Sequence, residues 1–284
     1  EGTEFNVGQL GSFISRNAGV ADLHLHAESA TGGDDTLEVQ ICPVIEDFGR
    51  GRQFRGYGTE VSGVSSGTKR WTKSGQPVPP QVKAFRGAVL LRLDAGMLAA
   101  PSLPEEVPPR LRPSGKGLAS VLAYLRLNRP ERFDAVVDSF RKVITSVDRV
   151  RFDKVQTQGF ADTLLFDFTG ASDVPSAHVS TGTLHALGLI TSILGTEGPR
   201  VLLLDDLDHG LHPKAQLDLV DALRNLLQQN PELQIIATSH SPYILDKLKW
   251  NEVRVTSLLG NGSALCKPLS DHPLHDKWKD AMTP

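Results

Sequence analysis

Cysteine is nearly absent from this chain. Cys42 and Cys266 are the two in 284 residues, too few and too far apart for a disulfide-stapled framework. Long hydrophobic runs are absent as well. No stretch approaches the ~20 apolar residues that a bilayer helix needs, and runs such as Val201 to Leu204 read as single buried strands. No secretory leader pattern opens the chain, so it is read as cytoplasmic. Charge of one sign is also lacking: 30 basic against 33 acidic residues leave a net −3, which offers no overall basic footprint for nucleic acid. What is present is ordinary globular material. Hydrophobic residues make up 39% and there are 26 glycines, which excludes bulk disorder. The length fits about two domains, or one larger α/β domain with insertions. The chain opens on Glu1, not Met, and closes on Lys279 to Pro284 without an evident cap, so it is expected to be a fragment.

The charge is unevenly spread. Between Gly49 and Gly87 eight basic residues face Glu60 alone, a local balance of +7. Gly, Ser, Phe54, Tyr57 and Trp71 are interleaved with them, a mixture that suits a phosphate backbone and stacked bases. A solvated hairpin with long basic side chains accounts for the same residues, and interaction tails are usually denser in charge.

The N-terminal part reads as strands, with Leu37 to Cys42 alternating at period two and Ala88 to Asp94 a second strand. Five prolines between Pro101 and Pro113 mark a connector. A helix with Leu118, Val121, Leu122 and Leu125 on one face ends at Arg129-Pro130, and a second runs from about Glu131 to Val143 with Phe133, Val136, Val137 and Phe140 aligned. Two strand-like runs follow, Asp148 to Val155 and Phe160 to Phe168. After Val179 helix and strand alternate: helix Thr183 to Leu194, buried strand Val201 to Leu204, a helix opening on Pro213 with Leu217, Val220, Leu223 and Leu227 on its face, and apolar strand Gln234 to Thr238. That order implies a parallel crossover and an open α/β sheet whose chemistry sits at the carboxyl ends of its strands.

Three polar groups fall at such ends. Strand 201–204 delivers Asp205-Asp206, strand 234–238 delivers Ser239-His240, and Ser180-Thr-Gly182 precedes a helix. Two carboxylates after an apolar strand suit a magnesium ion beside a triphosphate, one holding the ion's water shell and the other orienting an attacking water. A strand end leading to a helix cap would use one such acid. Ser180-Thr-Gly182 is either a plain N-cap or an anion site at the positive end of a helix. His240 alone would read as a core histidine.

In this order the motifs are more specific than any part. The runs Val179-Ser-Thr-Gly-Thr-Leu184, Val201-Leu-Leu-Leu-Asp-Asp-Leu-Asp-His-Gly-Leu-His-Pro213 and Ile235-Ile-Ala-Thr-Ser-His-Ser-Pro-Tyr-Ile-Leu245 resemble ABC-type ATPases of the RecF, SMC and OLD kind. Among these, they look like the AAA-domain ATPases common in bacterial defence and repair loci. The resemblance covers 179–245, and more weakly 115–143 and 272–284. It implies an ABC-ATPase-like P-loop NTPase core with a mostly parallel sheet, divided as a β-rich part over 1–114, a helical insertion over 115–145 and a C-terminal ATPase subdomain over 146–284. It implies ATP and Mg²⁺ as cofactors, with Asp205 acting on Mg²⁺ through water, Asp206 as general base and His240 as the switch histidine sensing the γ-phosphate. Ser180 and Gly182 would form the signature contacting nucleotide on a second subunit, so the partner is a second copy. DNA is the family's usual object, with Arg52, Arg55, Lys69 and Arg70 as candidate contacts, and an effector nuclease or toxin is the other implied partner.

The sequence departs from the family in places. Asp206 is one methylene shorter than the usual Glu, Thr181 replaces Asp or Gly, and Leu207 stands where Pro is common. No Gly-x-x-x-x-Gly-Lys-Ser/Thr occurs in the 284 residues; Gly63 to Lys69 has the wrong spacing, and Gly115-Lys116-Gly117 lacks the leading glycine. The resemblance places that loop ahead of the strands seen here, so this chain is expected to begin after it and to be inactive by itself; the alternative is a degenerate ATPase that never had the loop. The leading expectation is an ATP-driven dimer switch. The alternative is a non-hydrolysing scaffold for an effector.

Overall fold

The computed structural model describes residues 21–28, 34–47, 52–64, 70–71, 88–157, 159–196, 198–258 and 264–269. The chain divides into two units, Glu1–Arg86 with Thr256–Cys266, and Gly87–Val255 with Lys267–Pro284. Among the described residues no helix is long and apolar enough to cross a membrane.

In the first unit β1 (Ala21–Glu28), β2 (Asp34–Asp47), β3 (Arg52–Val64) and β4 (Arg70–Trp71) form one antiparallel sheet in that order. Of the basic segment, residues 52–64 and 70–71 are described, as strands of this sheet. Arg52 pairs with Asp47 and Arg70 with Val64, while Arg55 falls at a register shift opposite Val44 and Ile45. Lys69 lies outside the described residues. Near the other end of the chain β11 (Arg254–Leu258) and β12 (Ala264–Pro268) form a two-stranded sheet.

The second unit holds the hydrophobic core of the described residues. It starts with β5 (Ala88–Leu91) and a short helix α1 (Ala95–Ala99) whose N-cap Asp94 accepts a bond from the Met97 amide at 2.8 Å. The expected strand through Asp94 thus stops at Leu91, because the Asp94 carboxylate caps a helix instead. Helices α2 (Leu118–Asn128) and α3 (Pro130–Val143) follow the proline-rich connector. Pro130 sits in the first turn of α3, where its missing N–H costs nothing. The buried residues Phe133, Val136, Phe140 and Val143 form the inner face of α3, and Arg132 ties this helix to the Gly195 carbonyl at 2.8 Å.

An antiparallel sheet of β6 (Val147–Gln156), β7 (Phe160–Phe168) and β8 (Ala171–Pro175) packs Phe166 edge-on against Phe140, with centroids 6.4 Å apart. No local pattern in the sequence marks β8. It is held by tertiary pairing and by Arg151, which donates to Asp167 and Asp173, each at 2.6 Å from its Nη2.

The site rests on the last layer. Helix α4 (Thr181–Leu194) is buried on nearly all sides, which marks a central helix. The parallel sheet has the order β10-β9-β5, with β9 (Val201–Leu204) central and β10 (Gln234–Ala237) at an edge among the described strands. Strand β10 leaves Ile236 59% exposed, so the apolar strand expected there is not buried on both faces. A short apolar run reads the same whether it lies at the centre or the edge of a sheet. Helix α5 (Pro213–Gln229) links β9 to β10, and its buried face centres on Leu219, Leu223 and Leu226, turned slightly from the Leu217 and Leu227 expected. Helix α6 (Pro242–Lys247) follows β10. Side chains from α2, α3, α4, α5, β7 and β9 share one hydrophobic cluster.

Candidate active site at the strand ends

Strands β9 and β10 run parallel with Leu204 opposite Ala237, so Asp205-Asp206 and Thr238-Ser239-His240 leave the sheet side by side. The Thr238 amide donates to the Leu204 carbonyl at 3.0 Å, and the Leu207 amide donates to the Thr238 carbonyl at 2.9 Å. Between these two bonds the Thr238 hydroxyl donates to Asp205 Oδ1 at 2.9 Å and accepts the Asp206 amide at 3.0 Å. Asp206 has φ +53°, a left-handed conformation that Asp adopts more readily than most residues. Both carboxylates are exposed.

A second clasp lies one residue on. Ser239 donates to Asp208 Oδ1 at 2.5 Å and accepts the Ser241 amide at 3.1 Å. The Ser241 hydroxyl bonds the Gln216 side chain, and Gln216 Nε2 donates to the Leu211 carbonyl at 2.9 Å. The two segments that leave the sheet are therefore joined at both Thr238 and Ser239.

The turn after the acids carries the first turn of α4. Ser180 is the N-cap of α4, accepting the Thr183 amide at 3.3 Å and sharing a 2.8 Å bond with the Thr183 hydroxyl. The helix thus begins at Thr181, two residues ahead of the expected start. Gly182 is buried, and a Cβ on it would lie 2.2 Å from the Gly210 carbonyl oxygen. Gly210 itself has φ +70°. The two backbones touch because neither carries a side chain.

One turn further along α4, His185 stacks on His209 with ring centroids 5.0 Å apart and planes at 27°. Both line a cavity of about 360 Å³ at the ends of β5 and β9, together with Arg92, Asp94, Asp205 and Asp206. Ser180, Gly182 and His240 do not line it, and His240 lies beyond the end of β10. Sequence reading missed Asp94, His185, His209 and Thr238. Only Thr238 carried a signal, as the hydroxyl residue directly after an apolar strand.

Burial holds the His185 imidazole below the usual histidine value, and the neighbouring His209 adds to this, while Asp94 and a hydrogen bond to the Leu93 backbone oppose it. A histidine depressed in the folded state binds fewer protons than in the unfolded chain near its ordinary value of 6.5, so acidification destabilises the fold. The stability is fully present above 6.5 and declines as pH falls through and below that value. We expect the urea midpoint to drop between about pH 7.5 and about pH 5.5, and His185→Phe to reduce that slope. An identical slope in the variant would show that His185 does not contribute.

Among the described residues no group of three or more His, Cys, Asp or Glu converges to hold a metal by itself. Two adjacent exposed carboxylates, one with Oδ1 already fixed by a hydroxyl, fit instead a Mg²⁺ held through water and substrate phosphates, which is how this ion is usually bound.

The sequence pattern of the family described as "AAA domain, putative AbiEii toxin, Type IV TA system" matches residues 68–246. The chain belongs to this AAA family. The match takes in the acid pair, the α4 cap and His240, so this is an ATPase-type domain. A relative named "Retron Vc95 probable ATPase", from Vibrio cholerae serotype O1 biovar El Tor, is 24% identical over 162 residues. The alignment covers 52% of this chain and 29% of that protein, so the chain spans under a third of the curated relative it matches. In fold this AAA domain is similar to an SMC head whose crystal structure has it bound to the C-winged helix domain of ScpA. The TM-score is 0.52 at 12% identity, covering 89% of this chain and 76% of that one. The mixed α/β architecture with a parallel sheet is thus that of an SMC-like P-loop NTPase core.

Proposed function

We propose that this chain is the part of an ATP-hydrolysing dimer switch that carries the signature, the acid pair and the switch histidine, and that the switch acts on DNA or on a defence effector. The carrying observation is the exposed Asp205-Asp206 pair, clasped by Thr238 at the end of a parallel sheet. Bound Mg²⁺-ATP supplies the scissile phosphoanhydride and the charge neutralisation at its phosphates. Asp205 would hold the ion through water with the carboxylate oxygen that Thr238 leaves free. Asp206 accepts the proton of the attacking water, and its compact φ +53° turn sets the reach of the shorter side chain. His240 would be the residue that senses the terminal phosphate. Ser180, exposed at the start of α4, completes the site of a second copy, and the close approach of Gly182 to Gly210 couples that helix to the acid turn.

The retron relative's name and the ScpA-bound SMC head support a defence setting and a protein partner respectively. The basic strand β3 supports DNA. The test is ATP turnover by the complete gene product that carries this chain, with and without linear double-stranded DNA at low salt. Stimulation by DNA is expected, and turnover indifferent to DNA would remove it as the object of the switch. Neutralising Arg52, Arg55, Lys69 and Arg70 is expected to flatten the salt dependence of DNA binding, by roughly 0.9 in log–log slope for each phosphate that no longer meets a cation. An unchanged slope would rule these four residues out of the DNA-binding surface.

One observation favours the second reading, a non-hydrolysing scaffold that holds a nuclease or toxin: the acid at 206 is one methylene shorter than Glu. A complete protein that binds ATP and shows no turnover would decide for it.

A further inference from the structure

Thr238 has its hydroxyl engaged on both sides, by the Asp205 carboxylate and by the Asp206 amide. Its own amide closes the last rung between β10 and β9 by donating to Leu204 at 3.0 Å, and its carbonyl takes the Leu207 amide at 2.9 Å. The residue is thereby pinned across the acid pair from both sides. Its side chain then lies between the two acids, 2.9 Å from Asp205 Oδ1 and 3.0 Å from the Asp206 amide nitrogen.

A hydroxyl has one proton and two acceptor lone pairs. The Asp206 N–H can only donate, so the Thr238 oxygen accepts there, and its single proton goes to Asp205. This direction has two effects. The Asp205 carboxylate turns about a soft, two-fold torsion, and a charge-assisted bond to one oxygen fixes that torsion and leaves Oδ2 free. Asp206 occupies a sparsely populated backbone region, which persists only where the surroundings over-determine it. The bond from its amide to Thr238 supplies part of that determination. Neither effect needs Thr238 to touch a substrate.

We infer that Thr238 is a positioning residue for hydrolysis: one hydroxyl sets the rotation of the Asp205 carboxylate and the backbone turn that presents Asp206. The inference rests on the roles given above to Asp205 and Asp206. It assigns to Thr238 what is often seen of groups that hydrogen-bond a metal-binding carboxylate, whose loss typically costs roughly 10–100-fold in metal affinity or activity.

The test compares Thr238→Val, which keeps the branched shape and loses the hydroxyl, with Thr238→Ser, which keeps the hydroxyl, in the complete gene product. Thr238→Val is expected to lower kcat by roughly 10–100-fold and to weaken Mn²⁺ binding in the presence of a non-hydrolysable ATP analogue, read by electron paramagnetic resonance, by a similar factor. The KM for metal–ATP is expected to rise by no more than the loss in Mn²⁺ affinity, because the two are linked through the same complex. Thr238→Ser is expected to restore both readouts. Amide hydrogen exchange at Asp206 gives a third readout independent of turnover: protection disappears in Thr238→Val and is kept in Thr238→Ser.

Two results would overturn the inference. One is wild-type kcat, Mn²⁺ affinity and Asp206 protection in Thr238→Val. The other is equal loss in Thr238→Ser and Thr238→Val, which would make the position merely structural. Asp205→Asn separates this inference from the reading beneath it. An inactive Asp205→Asn beside an unaffected Thr238→Val sinks the role of Thr238 alone, whereas wild-type turnover in Asp205→Asn sinks the assignment of the acid pair.

Discussion

Asp206→Asn is expected to lower kcat by roughly 10²–10⁴-fold while leaving ATP binding in place, the range for loss of a positioned general base. The substitution suits the site because it changes little else. Asn is nearly isosteric with Asp and shares its tolerance of the left-handed region, so a residue at φ +53° keeps its backbone. The bond from its amide to the Thr238 hydroxyl is a main-chain bond and survives. What disappears is the negative charge and the ability to take a proton from water. Single-turnover phosphate release by the complete gene product, set beside equilibrium binding of ATP, separates the two effects. A loss in kcat with binding intact is the expected pattern. Turnover within about threefold of wild type would show that Asp206 is not the base, and the scaffold reading would then start from firmer ground.

Gly182→Ala is expected to destabilise the second unit. The added methyl would meet the Gly210 carbonyl oxygen at 2.2 Å, its carbon at 2.7 Å and the Leu211 amide at 3.0 Å. All three are backbone atoms, so no rotamer change relieves the clash, and either α4 or the turn after the acids must move. Overpacking of this kind costs about 1–3 kcal/mol and occasionally more. The gain of about 1 kcal/mol from replacing Gly by Ala inside a helix opposes it. The clash wins here because α4 is buried on nearly every side and has little room to shift. A net loss of up to about 2 kcal/mol follows from these two effects, to be read as a lower urea midpoint with unchanged m. An unchanged midpoint would mean that the turn yields freely. The close approach also gives Gly182 a reason to be glycine that involves no ligand, whereas Ser180 is exposed at the start of the helix.

Local pattern carried much of this fold. Apolar spacing was enough for α2, α3 and α4, and the run of four aliphatic residues before two acids was enough for β9. The acid pair, the Ser180 cap and His240 were legible because each sits at an abrupt change from apolar to polar residues. The rest depends on partners distant in sequence. Strand β8 exists through its pairing with β7 and the reach of Arg151 to Asp173. The His185–His209 stack brings together residues from α4 and from the turn after β9. Thr238 looks like the last residue of an apolar strand until β9 is laid beside it. The period of α5 gave the helix but not the rotation of its face, which is set by what α5 packs against. The exposure of β10 follows from its place in the strand order, which periodicity does not encode.

That edge also has a practical side. In any parallel ladder, alternate main-chain groups of the outermost strand are turned away from its neighbour. In β10 the residues around them are Gln234, Ile235, Ile236 and Ala237, with Ile236 open to solvent. Natural sheets blunt such borders with lysine, proline or a bulge, and β10 has none of the three. Among the described strands this leaves an open apolar border, and Ile236→Lys is expected to lower self-association in concentrated solution, read by light scattering.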